Sequence, residues 1–116
     1  MRLIRRDDDA VIAEQVETAR RLVRRIVGLI GRREFPPGCA LVIPRCRQVH
    51  TFFMRFPIDV VFLDEDNRVL RAESDVKPYG ITGRCRGGFA VVELPAGTVA
   101  RFGICPGDEM MMSEGT

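Results

Sequence analysis

Residues 58–74 constrain the fold more than any other part of the chain, and they read IDVVFLDEDNRVLRAES. Two runs rich in strand-forming residues flank a polar turn, in which Asp66 and Asn67 both tolerate the positive φ of a tight hairpin. This pattern predicts a strand over 58–63 and a returning antiparallel strand. Because alternate residues of a strand face opposite ways, and both faces of 58–63 are largely apolar, the first strand is expected in the centre of a sheet.

Further short apolar runs, each ended by proline, glycine or charged residues, predict the remaining strands. These runs are CALVI at 39–43, FAVVEL at 89–94 and a terminal run that includes MMM at 110–112. A strand over about 49–54 should stop before Pro57, which has no N–H for a central ladder. Residues 98–104 predict one helical turn. The expected fold is mostly β (α+β), a small barrel-like or strongly curved sheet of five to seven short strands with one short N-terminal helix packed on it.

The N-terminal third admits two interpretations. Apolar residues recur at helical spacing from Ile12 to Ile30, which taken alone predicts one long amphipathic helix. Alternatively, a short strand precedes Thr18, and a helix runs only from about Ala19 to Gly28. The arginines at 20, 21, 24 and 25 would then line its outer face. Residues 1–9 are expected to form a flexible tail, and residues 10–113 a single globular domain.

Charge and cysteine content exclude several function classes. The 116 residues include 18 basic and 16 acidic ones, a net charge of +2 that does not predict bulk nucleic-acid binding or attraction to a membrane. No apolar stretch approaches the roughly 20 residues of a membrane helix, and the N-terminus lacks a signal-peptide pattern, so a cytoplasmic location is expected. The four cysteines and single histidine have no metal-site spacing. Free thiols and no metal or cofactor are expected, although an even number of cysteines leaves a disulfide open.

The apolar stretch HTFFMRFPIDVVFLD, residues 50–64, carries His50, Arg55 and Asp59. A carboxylate on a buried strand must be paired or hydrogen-bonded, so Asp59 is expected to contact Arg55, His50 or the backbone of a turn. One interpretation is that it only ties down a turn. The other is a ligand or proton-transfer site, since histidine suits acid–base chemistry near neutral pH. A lone histidine on an apolar strand is more often structural.

Two other charged residues are candidates for the same site. Glu93 ends an apolar run before the Pro-Ala-Gly turn, where it either caps the next helical turn or faces the same pocket as Asp59. Arg32 follows Gly31 at the end of the predicted helix, where a cation suits the helix dipole and is also able to bind an anionic ligand.

Four segments in fixed order resemble domain-of-unknown-function family 192: GLIGR at 28–32, HTFFMRFPIDVVFLD at 50–64, VVELPAG at 91–97 and GICPGD at 103–108. The resemblance covers about residues 11–112. It implies a compact, mostly β domain with one short helix, and it favours the strand-then-helix interpretation of the N-terminal third. It supplies no reaction, and it does not fix the location. The motif positions it marks are Gly28, Arg32, His50, Met54, Pro57, Asp59, Glu93, Gly97, Gly103, Gly107 and Asp108. Asn67 stands where a hairpin glycine is more usual.

Three hypotheses follow. The first is a non-catalytic binding module for a small polar or anionic ligand or a partner segment; its candidate ligand-binding residues are Arg32, His50, Met54, Arg55, Asp59 and Glu93. The second is a hydrolase- or lyase-like enzyme with His50 as general base and Asp59 or Glu93 as orienter or acid. The third, least favoured because acidic residues balance the arginines, is a nucleic-acid-associated regulator that uses the arginine-rich helix face. A protein partner or a second copy of the chain is a further candidate partner.

Overall fold

The computed structural model describes residues 1–19, 34–52 and 54–114. This part of the chain contains eight strands and one short helix. The strands are β1 (Arg2–Arg5), β2 (Ala10–Ala13), β3 (Gln15–Thr18), β4 (Cys39–Pro44), β5 (Ile58–Leu63), β6 (Val69–Val76), β7 (Ala90–Pro95) and β8 (Met110–Ser113). Helix α1 is Thr98–Phe102, entered from Gly97 and ended at Gly103, both with positive φ.

The larger sheet has the strand order β3-β4-β7-β5-β6. Strands β3 and β4 are parallel, and the other neighbours are antiparallel. Every residue of β5 and β7 is buried, as expected for central strands whose two faces are both covered. The central position predicted for 58–63 is confirmed.

A smaller antiparallel sheet, β2-β1-β8, covers one face of the larger sheet. The apolar core between the sheets also includes residues of α1 and of the segment that follows it. Its buried members include Leu3, Ile12 and Met110 from the small sheet, Val42, Val61, Val92 and Leu94 from the large sheet, and Val99 and Ile104. We call this the inter-sheet core.

The opposite face of the larger sheet carries a second apolar cluster, which we call the outer core. From the sheet it contains Leu41, Ile43, Ile58, Val60, Phe62 and Val91. The described residues that cover them include Val49, Met54 and Cys85, which lie outside the named strands. Within the described ranges, loop segments therefore contribute to the cover of this side of the larger sheet.

The β5–β6 hairpin forms where the sequence predicts it, with a turn different from the expected one. Asn67 takes the positive φ (61°), whereas Asp66 does not. The Asp64 carboxylate accepts hydrogen bonds from the backbone N–H groups of Asp66 (2.8 Å) and Arg68 (2.9 Å). A side-chain acceptor thus stabilises the turn, as aspartate commonly does.

Several expectations are wrong. The sheets do not close into a barrel, because the larger one ends at β3 and β6, and the small sheet covers its face instead. Residues 2–5 are not a flexible tail but the central strand of the small sheet, with Leu3 fully buried. Strands β2 and β3 replace the first half of the long helix. The rest of that helix, with the arginines at 20, 21, 24 and 25, lies outside the described residues.

The strand expected over 49–54 is also wrong. In its place the chain forms one isolated bridge, between His50 and Ile81, and then turns, with the Met54 N–H donating to the Thr51 carbonyl. The hydrogen-bonding groups of this segment are directed to the loop over 77–82 rather than to a sheet.

Candidate functional site

Asp59 is completely buried (0% exposed) on β5, and backbone amides surround its carboxylate. Oδ1 accepts from the N–H of Asp75 (2.8 Å), at the bulged end of β6. Oδ2 accepts from the N–H of Gly97 (3.1 Å) and of Val99 (2.8 Å), at the start of α1. Of the partners expected for Asp59, the backbone of a turn is the one found. The carboxylate stabilises amides that the short helix cannot pair itself.

Glu93 is nearly as buried (4% exposed) but faces the other side of the sheet. Directly paired residues of antiparallel strands share a face, and β5 and β7 pair Asp59 with Leu94 and Val60 with Glu93. Leu94 belongs to the inter-sheet core, and Val60 to the outer core. The expectation that Glu93 faces the same pocket as Asp59 is therefore wrong, because neighbouring positions in the register alternate in direction.

The other candidate residues are scattered. His50 is exposed, and its ring packs on Phe52 with centroids 5.1 Å apart. Met54 is buried in the outer core, and Arg55 is exposed. Arg32 lies outside the described residues. His50 and Asp59 therefore do not form the acid–base pair of the enzyme hypothesis, since the two carboxylate oxygens of Asp59 are directed to backbone amides.

The structure instead brings together two loops that we call the loop ribbon, residues 45–52 and 77–89. Hydrogen bonds join its two arms although neither is a regular strand. These are Cys46 N–Phe89 O (3.2 Å), Cys85 N–Arg47 O (2.8 Å), Val49 N–Thr82 Oγ1 (2.9 Å), Thr82 N–Val49 O (2.8 Å), Thr51 N–Gly80 O (2.9 Å) and Tyr79 N–Thr51 O (2.9 Å). The pairing gives two irregular segments a defined shape.

Thr51 fixes one end of the loop ribbon. It is fully buried, and its hydroxyl donates to the Lys77 carbonyl and accepts from the Gly80 N–H (2.8 Å). Gly80 has no room for a side chain, because a Cβ there would lie 2.9 Å from the Lys77 carbonyl oxygen. Tyr79, between them, is held at positive φ (61°).

The other end of the loop ribbon forms a surface cavity of about 590 Å³. It is lined by Arg45, Cys46, Arg47, Gln48, Glu65, Arg84, Gly88 and Phe89. Three arginines thus face one glutamate. Arg47 is held in place by a hydrogen bond from Nε to the Gly88 carbonyl (3.0 Å). We call this the arginine cavity; its volume lies within the range of small-molecule sites.

Sequence reasoning missed the arginine cavity, although a signal was present. The tripeptide Arg-Cys-Arg occurs twice, at 45–47 and at 84–86. The first copy directly follows β4, and the second lies in the glycine-rich segment 77–88 that precedes β7. In each copy both arginines are exposed. Only the pairing of the two loops shows that the copies lie together.

Two other features bear on the kind of site. Among residues 1–19, 34–52 and 54–114, no cluster of histidine, cysteine and carboxylate side chains has the geometry to hold a metal ion. No helix in the same ranges has both the length and the apolar character needed to span a membrane.

Two solved structures share this fold. A protein of unknown function from Novosphingobium aromaticivorans has a TM-score of 0.76 and 26% identity, over 84% of this chain and 74% of that one. A putative transcription regulator from Sinorhizobium meliloti has a TM-score of 0.79 and 28% identity, over 95% of this chain and 89% of that one. No curated protein matches the chain.

The family model of domain-of-unknown-function family 192 (DUF192), described as Uncharacterized ACR, matches residues 3–112. The match spans nearly the whole sequence and includes the four motif segments, so the resemblance seen in the sequence is confirmed. The chain therefore belongs to domain-of-unknown-function family 192.

Proposed function

We propose that the protein is a non-catalytic binding module that holds a small anionic ligand in the arginine cavity. The observation that carries this proposal is the convergence of Arg45, Arg47 and Arg84 on one cavity. Guanidinium groups match phosphate and carboxylate oxygens with paired N–H donors, and their interaction is stronger than that of neutral hydrogen bonds. Gln48, on the same wall, adds an uncharged donor.

The ligand site rests on a scaffold that limits its movement. Cys85 is buried between the exposed Arg84 and Arg86, and its N–H donates to the Arg47 carbonyl (2.8 Å). The two arginine-bearing segments, 45–47 and 84–86, are thereby joined through the backbone. A preformed cluster of cations loses less conformational freedom on binding than a flexible one, which favours affinity for an anion.

The free cysteines and one solved structure are compatible with the same proposal. Four free cysteines suit a reducing compartment, which supports a cytoplasmic protein. The Sinorhizobium meliloti protein is described as a putative transcription regulator, and binding of an anionic effector is compatible with such a role.

Titration calorimetry with inorganic pyrophosphate tests the proposal. The wild-type protein should bind it saturably, and Arg84→Glu should bind at least about tenfold more weakly, because a charge-assisted hydrogen bond is worth about 1.5–3 kcal/mol. Glu65→Gln, which removes the opposing carboxylate from the same wall, should bind more tightly. Stability should change little in both variants, since Arg84 and Glu65 are exposed.

Arg101→Glu is the matched control. Arg101 is exposed on α1, which follows the far end of β7, whereas Phe89 of the cavity precedes its near end. The length of β7 places Arg101 and Phe89 about 20 Å apart. The control makes the same change in net charge as Arg84→Glu, so equal losses in the two variants would contradict the proposal. Absence of saturable pyrophosphate binding in the wild type would also contradict it.

A further inference from the structure

The outer surface of the loop ribbon continues from the arginine cavity into a row of exposed rings. Along one arm, Val49 and Thr51 are buried, and His50 and Phe52 are exposed. The ribbon therefore alternates like a strand, with one side on the outer core and the other toward solvent. On the second arm, Tyr79 is 66% exposed and Ile81 is 62% exposed.

The rings form a connected row rather than isolated surface residues. The centroids of His50 and Phe52 are 5.1 Å apart, and those of Phe52 and Tyr79 are 6.5 Å apart. Phe52 is 41% exposed, and so is Phe89, which lines the arginine cavity. An exposed apolar patch of this kind marks an interaction surface.

Charge complementarity selects the partner. Arg45, Arg47, Arg84 and Arg86 are exposed at one end of the ribbon, so the partner needs a series of negative charges. The ring row at the other end requires flat apolar groups spaced along the same molecule. Lys77, which borders the row, already pairs with Asp75 (2.6 Å) and adds little charge there. A single-stranded nucleic acid offers both a series of negative charges and flat apolar groups, because its phosphates contact cations while its unpaired bases stack on aromatic rings.

We propose that the loop ribbon binds single-stranded nucleic acid, with phosphates at the arginine cavity and bases stacked on His50, Phe52 and Tyr79. This inference rests on the proposed function, since it places phosphate groups of the polymer at the anion site of the arginine cavity. A duplex fits the surface less well, because its bases are stacked inside the helix and cannot reach the rings.

Fluorescence anisotropy with a labelled thymidine oligonucleotide of about 12 nucleotides tests the inference. Wild-type protein should bind it more tightly than pyrophosphate and more tightly than a duplex of equal length. Affinity should fall steeply between about 50 and 200 mM salt. Tyr79→Ala should weaken binding about tenfold without changing the slope against salt concentration, because it removes stacking and no charge. Arg84→Ala should weaken binding and reduce that slope by about one.

Met111→Ala is the control for loss of an exposed apolar side chain. Met111 is 38% exposed on β8, in the other sheet, and its removal should leave oligonucleotide affinity unchanged. Equal binding of duplex and single strand, or an unchanged affinity in Tyr79→Ala, would overturn the inference. Preferential binding to anionic phospholipid vesicles or to an acidic aromatic peptide would overturn it as well.

The outcomes also separate the inference from the proposed function. If pyrophosphate binds and is lost in Arg84→Glu, while the oligonucleotide binds no more tightly than pyrophosphate, the anion site stands and the nucleic-acid assignment fails. If neither pyrophosphate nor the oligonucleotide binds, both proposals fail.

Discussion

The surroundings of Asp59 and the loop ribbon use polar side chains in opposite ways. Asp59 is buried, and its carboxylate serves backbone amides of β6 and of α1. In the loop ribbon the two arms bond largely to each other, and the arginines of the cavity are exposed. The comparison teaches that the charged residue most noticeable in the sequence stabilises the fold, whereas the less noticeable arginines are exposed at the surface.

The largest effect is expected from Asp59→Asn. The substitution replaces a charged acceptor of three N–H bonds by an amide whose NH₂ group faces one or more of those donors, so the free energy of unfolding should fall by about 3 kcal/mol. Urea denaturation measures this change. Asp66→Asn, on an exposed hairpin position, is the control and should stay within about 0.5 kcal/mol of wild type.

The same variant sharpens the comparison. Folded Asp59→Asn protein should bind pyrophosphate with wild-type affinity, since Asp59 faces the inter-sheet core and not the loop ribbon. Loss of pyrophosphate affinity in a folded protein would show that the two regions are coupled and would break the distinction drawn between them.

A smaller effect is expected from Thr51→Val, which tests whether the loop ribbon also depends on a buried polar side chain. The change keeps the shape but removes the hydroxyl acceptor of the Gly80 N–H, which then retains only the longer bond to the Lys77 carbonyl (3.1 Å). It also removes the hydroxyl donor to that carbonyl, and the expected cost is about 2 kcal/mol. Hydrogen exchange at the Gly80 amide should accelerate more than at β5 amides. Thr51→Ser retains the hydroxyl and should preserve the protection. A Thr51→Val protein with unchanged exchange at Gly80 would show that the turn needs no such support.

The smallest effect is expected at the surface, from Asp8→Asn. The Arg5 guanidinium donates two hydrogen bonds to Asp8 (3.1 and 2.9 Å), which, with the Ala10 N–H, lowers the pKa of that carboxyl. A lowered pKa in the folded state gives stability that is present above the unfolded pKa of about 3.9 and is lost as the pH falls through the folded value.

The melting temperature should therefore be slightly lower for Asp8→Asn than for wild type at about pH 7, and the difference should vanish below the folded pKa of Asp8. Exposure of the Asp8 carboxylate predicts that added salt also reduces the difference. Asp7→Asn, at the neighbouring exposed position, is the control. A difference that persists in strong acid would exclude the ion pair as its cause.

Much of the sheet could be predicted from local pattern. The strand Ile58–Leu63, its hairpin and the helical turn from Thr98 follow from apolar periodicity and turn residues, which act over a few positions. The strand at residues 2–5 was not predicted, because a four-residue strand between charged residues has a weak local signal. Its strand identity depends on pairing with β2 and with β8, and β8 lies at the other end of the chain.

The candidate site was predictable only in part. The sequence marked His50, Asp59 and Glu93 as unusual charges in apolar runs, and burial of Asp59 and Glu93 is confirmed. Their separation depends on the register of β5 and β7, which places adjacent positions on opposite faces. Arg45, Arg47 and Arg84 belong to a repeated Arg-Cys-Arg tripeptide, but a repeat in two loops does not show that the loops pair, so their convergence could not be predicted from the sequence.

The sequence by itself determined the family, the mostly β character and the need for a buried carboxylate to find a partner. These properties depend on residue type and short-range order. The tertiary structure alone decided which amides Asp59 binds, that two sheets form rather than a barrel, and that the two Arg-Cys-Arg segments share one cavity. Such arrangements depend on contacts between residues far apart in the chain, and a local pattern does not specify them.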